Sequence, residues 1–369
     1  MSLPKPTGLY AVGTETLSLT DTTRTPLRGT ETRRWMATIW YPSEQHAGAY
    51  PYMPGTLQEG EVWGVKVMTH AKPQAVPLRN KKFPLIIAIP GRGNERQRYT
   101  ILLEELASQG YIVVAMDQPY VAGFVKFLDG NTVTLTLRDA WKLPRDRDYR
   151  YTYDDDVIRS TLKDIAYVLD HLNVLGPLAE LIDPQTIILL GHSLGANSAH
   201  LFGFHDRKVN AIVDIDCKIT ERPIFGRIGV PQNPDAKPVL FIRAMMQYQD
   251  DVGNQLEKIS NATVWRPLVQ HSAFSDDAYF AAKIAGFGDE EGVEKLMHWI
   301  FKRGPYFSNI DTSVGQQTVE QWFAEYCAYI VAWLKHYAKT QQHGTTETFQ
   351  EPNKAPHWEP RDSNKESQR

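Results

Sequence analysis

Residues 191–195 read Gly-His-Ser-Leu-Gly and match the G-x-S-x-G pattern of a nucleophile elbow. In this motif a strand turns sharply into a helix, and a serine in a strained conformation presents its hydroxyl above the sheet. The apolar residues 186–190 fit the strand and residues 196–200 fit the helix. The motif predicts a strand–turn–helix unit of an α/β fold and nominates Ser193 as a nucleophile. The alternative is an ordinary helix N-cap serine in a turn flanked by glycines.

Composition and charge fit a globular protein and exclude several classes of function. The chain has 369 residues, of which 42% are hydrophobic, and its formal net charge of -3 gives no reason to expect a nucleic acid or an anionic membrane as partner. Cys217 and Cys327 lie too far apart in sequence to indicate a disulfide framework or a metal site. No apolar run approaches the roughly 20 residues that span a bilayer. No secretory signal is evident either, so we expect a cytoplasmic protein.

The distribution of apolar runs predicts a mostly parallel sheet with helices on both faces. Expected strands lie at 85–89, 111–116, 186–190, 210–215, 239–242 and 262–269, and an antiparallel pair lies at 13–20 and 34–41. We predict one domain over residues 1–340 and a flexible polar tail over 341–369. Residues 119–150 form a long insertion between a strand and its helix, and we interpret this insertion as a lid or pocket wall.

A serine nucleophile needs a histidine base and an acid, which in this fold follow in the order serine, acid, histidine. Of the eleven histidines, His271 alone follows a plausible late strand. His192 lies within the elbow, where its side chain is expected to point away from the nucleophile. His200 and the histidines near the C-terminus lie in helical patterns. We therefore predict His271 as the base.

The acid is less clearly indicated. Asp214 and Asp216 both lie at the end of the strand after the elbow, and strand alternation directs both side chains to the same face. Asp216 is nearer the carboxyl edge, where the site is expected. Asp250 and Asp251 follow the next strand but lie in a polar run typical of a solvated loop. The sequence favours Asp216 and leaves Asp250 as the alternative.

The oxyanion of an acyl-transfer intermediate requires backbone N–H donors. One is expected from Leu194, the residue after the nucleophile, and the other from the turn after the strand at 85–89. That turn reads Gly-Arg-Gly at residues 91–93, which nominates the N–H of Arg92.

Several further segments complete a family pattern. They are Trp40-Tyr41-Pro42, Gly91-Arg92-Gly93, Asp117-Gln118-Pro119-Tyr120, Phe127-Leu128-Asp129-Gly130, Asp214-Ile215-Asp216, and His271 with Phe274-Ser275-Asp276. With the elbow, they make the chain, over roughly residues 10–340, resemble the α/β-hydrolases of the plasma-type platelet-activating factor acetylhydrolase family and their microbial and fungal relatives. The resemblance implies Ser193 as nucleophile, Asp216 as acid and His271 as base, with oxyanion amides at Leu194 and Arg92. It also implies hydrolysis of short sn-2 acyl esters of phospholipids without a metal or other cofactor.

The sequence departs from that family pattern in the oxyanion turn and after the acid. Pro90 replaces the usual histidine, Arg92 replaces an apolar residue, and Cys217 replaces a common glycine. Arg92, with Arg96 nearby, is expected either to meet an anionic substrate group or to face solvent. The expected partner is a small-molecule or lipid ester, and the oligomeric state is left open. The alternatives to an esterase are an amidase or peptidase with the same triad, and a non-catalytic binding protein of this fold.

Overall fold

The computed structural model describes residues 1–44, 48–56, 59–217, 237–244, 261–284 and 317–343, together with Val314 and Phe349. Within these residues, nine strands form one central sheet. They are β1 Ala11–Asp21, β2 Arg33–Ser43, β3 Lys72–Pro73, β4 Phe83–Ile89, β5 Ile112–Met116, β6 Ile182–His192, β7 Ala211–Ile215, β8 Pro238–Ile242 and β9 Asn261–Trp265.

The strand order in the sheet is β9-β8-β7-β6-β4-β5-β2-β1-β3. The six strands from β9 to β5 are parallel to one another. β2 is antiparallel to β5 and to β1. The sequence prediction of a mostly parallel sheet with an antiparallel pair is confirmed, and the short β3 lies outside that pair.

In the described ranges, six α-helices and three 3-10 helices accompany the sheet. The α-helices are α1 Thr100–Ser108, α2 Leu137–Lys142, α3 Arg147–Asp170, α4 Leu194–His205, α5 Asp276–Ile284 and α6 Val319–His343. The 3-10 helices are Arg96–Tyr99, Leu172–Leu181 and His271–Phe274. Three short ribbons pair Tyr50–Pro51 with Met68–Thr69, Glu61–Val62 with Val65–Lys66, and Phe124–Lys126 with Thr132–Thr134.

The sheet has a hydrophobic layer on each face because alternate residues of a strand point to opposite sides. On β4, Ile86 packs into the layer that α1 and α6 cover, whereas Ile87 packs into the layer that α3 and α4 cover. The chain thus has the α/β-hydrolase fold that the sequence predicts.

The topology gathers the predicted site residues at one edge of the sheet. β6, β7, β8 and β9 are successive parallel neighbours, so their carboxyl ends lie side by side. β6 ends at His192, next to Ser193, and β7 ends at Ile215, next to Asp216. His271 follows β9 after a short loop. This edge is where open α/β sheets bind ligands.

The predicted domain limits are only partly covered by the described residues. α6 extends to His343, three residues beyond the predicted boundary at 340. Beyond α6, the ring of Phe349 packs on that helix, with ring-centroid distances of 5.6 Å to Tyr329 and 5.5 Å to His336. The remainder of the predicted tail lies outside the described residues. Among the helices that are described, none is long and apolar enough to cross a membrane.

Candidate active site

Ser193 lies at a strained turn between β6 and α4. Its φ is 53° and its ψ is −117°, a region that costs a non-glycine residue on the order of 1–3 kcal/mol. A Cβ on Gly191 would lie 2.6 Å from Ala196 Cα, and one on Gly195 would lie 2.2 Å from the Ile89 carbonyl oxygen. Both glycines are therefore required by close packing, and the elbow predicted from the sequence is present.

His271 contacts both Ser193 and Asp216. Its Nε2 is 2.9 Å from Ser193 Oγ, and its Nδ1 is 2.5 Å from Asp216 Oδ2. A carboxylate only accepts, so Nδ1–H donates to Asp216 and the neutral ring leaves Nε2 to accept the serine proton. The His271 side chain is 38% exposed, whereas that of Asp216 is 7% exposed. The structure thus brings together the three residues selected from the sequence.

Asp216 is held in place by the ends of two neighbouring strands. Its backbone N–H donates to the Ile242 carbonyl at 2.7 Å, and its Oδ1 accepts the Ala244 N–H at 2.9 Å. Burial raises the pKa of Asp216, but the hydrogen bond and charge of His271 and the Ala244 N–H outweigh burial and leave the pKa below its usual value. The carboxylate therefore stays ionised opposite the base.

Asp214 faces a different set of partners. Its carboxylate lies 2.9 Å from His200 Nδ1, and it accepts the Cys217 N–H at 3.0 Å and Arg243 Nη1 at 3.3 Å. The sequence prediction that both side chains point to the same face is wrong. Asp216 lies beyond the end of β7 and has a φ of 51°, so the alternation of the strand does not extend to it. Asp250 and Asp251, the other carboxylates considered from the sequence, lie outside the described residues.

The predicted oxyanion turn packs directly against the elbow. A Cβ on Gly91 would lie 3.3 Å from Ser193 Cβ, and one on Gly195 would lie 2.5 Å from the Pro90 carbonyl oxygen. The backbone at residues 89–91 therefore borders the elbow, directly before Arg92, the residue predicted with Leu194 as an oxyanion donor.

The loop that carries His271 is anchored to α1 and α6. Trp322 Nε1 donates to the Ala273 carbonyl at 2.8 Å, and the ring of Phe274 contacts that of Trp322 at 5.6 Å. The Asp276 carboxylate accepts the backbone N–H groups of Thr100 and Ile101 at 2.8 and 3.3 Å. Asp276 thereby satisfies the first N–H groups of α1, which has no capping side chain of its own.

The insertion at 119–150 begins beside the oxyanion turn. Gly93 donates to the Val121 carbonyl at 3.2 Å and accepts the Gly123 N–H at 2.9 Å. The hairpin of Phe124–Lys126 with Thr132–Thr134 and the helix α2 then follow. Leu137 and Trp141 on α2 are 91% and 65% exposed.

Similarity to known proteins now bears on this site. The family model described as platelet-activating factor acetylhydrolase, isoform II, matches residues 1–122. A probable 1-alkyl-2-acetylglycerophosphocholine esterase of Arthroderma benhamiae is 23% identical over 337 residues, which cover 79% of this chain and 80% of that protein. Both similarities support membership of the platelet-activating factor acetylhydrolase family.

A structural match agrees with an esterase. A solved ferulic acid esterase from Streptomyces cinnamoneus is 28% identical and superposes with a TM-score of 0.67, covering 91% of this chain and 92% of that one. The chain is a carboxylic ester hydrolase. The resemblance predicted from the sequence is confirmed.

Arg92 of the oxyanion turn and the nearby Arg96 both bind acidic side chains. Arg96 is 1% exposed, and it binds Asp117 and donates to Thr38 Oγ1 at 2.7 Å, so it belongs to the core. The Arg92 guanidinium, for which the sequence predicts either an anionic substrate group or solvent, binds the buried Asp154 of α3, and its side chain is 18% exposed.

His192 is the residue that sequence reasoning excluded from the site and that the structure places within it. Its ring centroid lies 4.7 Å from that of His271, and its Nδ1 lies 2.7 Å from the Tyr99 hydroxyl. The sequence places His192 next to the elbow serine, but it does not indicate the contacts of His192. These contacts involve Tyr99 and His271, which are far away in sequence.

In the described part of the chain, one group of side chains has the spacing of metal ligands. The ligand atoms of His200, Asp214 and Cys217 all lie within 4.8 Å of one another. The Asp214 carboxylate is, however, already paired with Arg243, whose Nη1 also donates to the Cys217 carbonyl at 2.5 Å. The group forms a buried ion-pair network beneath the turn that carries Asp216.

Proposed function

We propose that Ser193, His271 and Asp216 are the catalytic triad of this ester hydrolase. The observation that carries the proposal is the continuous pair of contacts from Asp216 Oδ2 to His271 Nδ1 at 2.5 Å and from His271 Nε2 to Ser193 Oγ at 2.9 Å. In this arrangement the carboxylate fixes the tautomer of the imidazole, which is then ready to accept the proton of the nucleophile.

In the proposed reaction, Ser193 Oγ attacks the ester carbonyl carbon while its proton moves to His271 Nε2. The carbonyl oxygen becomes an oxyanion, which accepts hydrogen bonds from the N–H groups of Leu194 and Arg92. The intermediate collapses, the C–O bond to the alcohol breaks, and the alcohol leaves with the proton from His271. Water then attacks the acyl-enzyme with His271 as base, which releases the acid and restores the serine.

Replacement of the nucleophile tests this proposal directly. We expect Ser193→Ala to lower the kcat of p-nitrophenyl acetate hydrolysis by about 10⁴-fold or more, as removal of a triad serine does in other hydrolases. Ser198→Ala is the matched control because Ser198 is a buried serine on the same helix. A Ser193→Ala protein that hydrolyses the ester as fast as the Ser198→Ala control would refute the proposal.

We propose short acyl esters as substrates, with sn-2 short-acyl phospholipids as the first candidate class. The name of the Arthroderma benhamiae relative supports this class. The name of the Streptomyces cinnamoneus structure supports a second candidate, esters of ferulic acid. Both classes present a carboxylic ester to the same serine and differ in the acyl group that the pocket must accept.

A substrate panel separates the two candidates. It comprises p-nitrophenyl esters from acetyl to palmitoyl, an sn-2 acetyl phospholipid and methyl ferulate, each assayed with Ser193→Ala as the blank. A kcat/KM that falls steeply beyond short chains and is high for the phospholipid supports the first class. A kcat/KM that is highest for methyl ferulate supports the second, and a preference for palmitoyl would contradict both.

We further propose that residues 119–150 form one wall of the substrate pocket and that residues 1–340 are a single domain. The bonds between Gly93 and the start of the insertion support the first of these proposals. The assembly of β1–β9 into one sheet supports the second. We also propose a cytoplasmic location, because Cys217 and Cys327 are not joined in a disulfide, which fits a reducing compartment.

A further inference from the structure

His192 is buried between the nucleophile, the base and the oxyanion turn. Its Nε2 lies 3.2 Å from the backbone oxygen of His271, and its Nδ1 lies 2.7 Å from the Tyr99 hydroxyl. The Tyr99 oxygen accepts the Gly91 N–H and the Asn94 amide, each at 3.0 Å. His192 and Tyr99 thus connect the backbone of the base, at His271, to the backbone of the oxyanion turn, at Gly91.

The chemistry of these partners fixes the proton positions on His192. A backbone carbonyl only accepts, so Nε2 carries a proton and donates to the His271 oxygen. Nδ1 of a neutral ring is then an acceptor, and the Tyr99 hydroxyl donates to it. This agrees with the Tyr99 oxygen, which already uses its lone pairs for Gly91 and Asn94 and has only its own proton left to donate.

Burial keeps His192 neutral. Burial lowers the pKa of His192 to about 3, and the neighbouring His271 lowers it as well, against the opposing charge of Asp216. Because the two imidazole rings lie 4.7 Å apart, a second cation at His192 would oppose protonation of His271. A neutral His192 lets His271 take up the serine proton without that repulsion.

We infer that His192 is a positioning residue that holds the backbone of His271 and, through Tyr99, the oxyanion turn in register with Ser193. This inference rests on the proposed triad. The hydrogen bond from His192 Nε2 to the His271 carbonyl holds the backbone of the base near the elbow. The hydrogen bond between His192 Nδ1 and Tyr99 holds the turn that receives the oxyanion. Loss of His192 should therefore slow the chemical step per intact active site rather than weaken substrate binding.

The test uses His192→Phe, His192→Gln and Tyr99→Phe in the full chain. Phenylalanine keeps the ring but removes both hydrogen bonds, whereas glutamine keeps an N–H donor that can reach the His271 carbonyl. We expect His192→Phe to lower the kcat for p-nitrophenyl acetate about tenfold, the loss that corresponds to about one buried hydrogen bond in the transition state. KM should stay within about twofold, and His192→Gln should recover most of the loss.

Active sites are counted by fluorophosphonate titration, so that kcat refers only to protein with a reactive serine. A merely structural role would reduce the titrated fraction and leave kcat per titrated site unchanged. Equal kcat per site in the parent and His192→Phe, or no advantage of His192→Gln over His192→Phe, would overturn the inference. If His192→Phe does not fold, Tyr99→Phe decides, since an unchanged kcat per site in that variant overturns the inference as well. Normal titration of Ser193 in these variants distinguishes this outcome from a failure of the proposed triad.

Discussion

Two histidine–aspartate pairs lie at the end of β7, His271 with Asp216 and His200 with Asp214. Their Nδ1–Oδ2 distances are similar, at 2.5 and 2.9 Å. The first pair reaches Ser193 and its histidine is partly exposed, whereas both side chains of the second pair are fully buried. The second pair also has Arg243 at 3.3 Å from the carboxylate and the ring of Phe204 stacked on His200 at 5.3 Å.

The comparison shows that a histidine–aspartate contact does not by itself identify a catalytic acid and base. The difference lies in the partner of Nε2, the second ring nitrogen. His271 Nε2 lies beside a hydroxyl on a strained turn, whereas His200 Nε2 has no hydrogen-bond partner among the described residues and the His200 ring packs against Phe204 and Phe241. Only the outer pair therefore has the geometry that the proposed proton transfer requires, and the inner pair supports the turn on which the outer carboxylate lies.

Exchange of each histidine gives the largest expected contrast between the pairs. His271→Gln should lower kcat/KM for p-nitrophenyl acetate by roughly 10³–10⁴-fold because the general base is lost. His200→Gln should leave kcat per titrated site within about threefold, since a contact remote from Ser193 contributes little to the chemical step. Steady-state kinetics with active-site titration measure the activity of both variants. Similar losses of activity in His271→Gln and His200→Gln would contradict the proposed difference between the two pairs.

Removal of each carboxylate charge should give a contrast in stability. Asp214→Asn leaves the partly buried Arg243 without its carboxylate, and we expect a loss of about 3 kcal/mol in the free energy of unfolding at pH 7. Asp216→Asn should cost less stability because its partner His271 is partly exposed, with a side-chain exposure of 38%. Urea unfolding followed by tryptophan fluorescence measures both values.

The pH dependence provides the control for the Asp214 prediction. Burial raises the pKa of Asp214, but the opposite effect of Arg243 and His200 is larger. The folded-state pKa of Asp214 therefore lies below its usual value of 3.8. The stability that Asp214 contributes is therefore present above pH 3.8 and is lost as the pH falls through the folded-state pKa. The difference between the parent and Asp214→Asn should shrink as the pH falls below 3.8, and a difference independent of pH would contradict the ion-pair assignment.

Cys217 lies between the two pairs and should give the smallest effect. Its thiol donates to Asn197 Oδ1 at 3.2 Å, a weak bond worth about 1 kcal/mol or less. We expect Cys217→Ala to lower stability by about that amount and to leave kcat within about twofold. Cys327→Ala, a buried thiol on α6, is the matched control. A tenfold loss of activity in Cys217→Ala alone would give the thiol a part in the reaction.

Local sequence patterns predict the main strands of the sheet, the elbow and the position of His271 beside Ser193. The elbow is a contiguous motif, and the order of strands along the chain places Asp216 and His271 at the same edge as Ser193. The pairing of Arg96 with Asp117 and the contacts of His192 could not be predicted, since they join side chains that only the folded chain brings together. The different directions of Asp214 and Asp216 were also missed because a positive φ at Asp216 ends the alternation of the strand.

The bond from Trp322 to the Ala273 carbonyl has a consequence for how the enzyme matures. A ribosome has made the nucleophile, acid and base once it passes residue 271, yet the support for the base comes from α6, about fifty residues later. A partly synthesised chain therefore holds a complete set of reactive groups without the helix that aligns them. Hydrolytic competence should therefore arrive only after α6 has been synthesised.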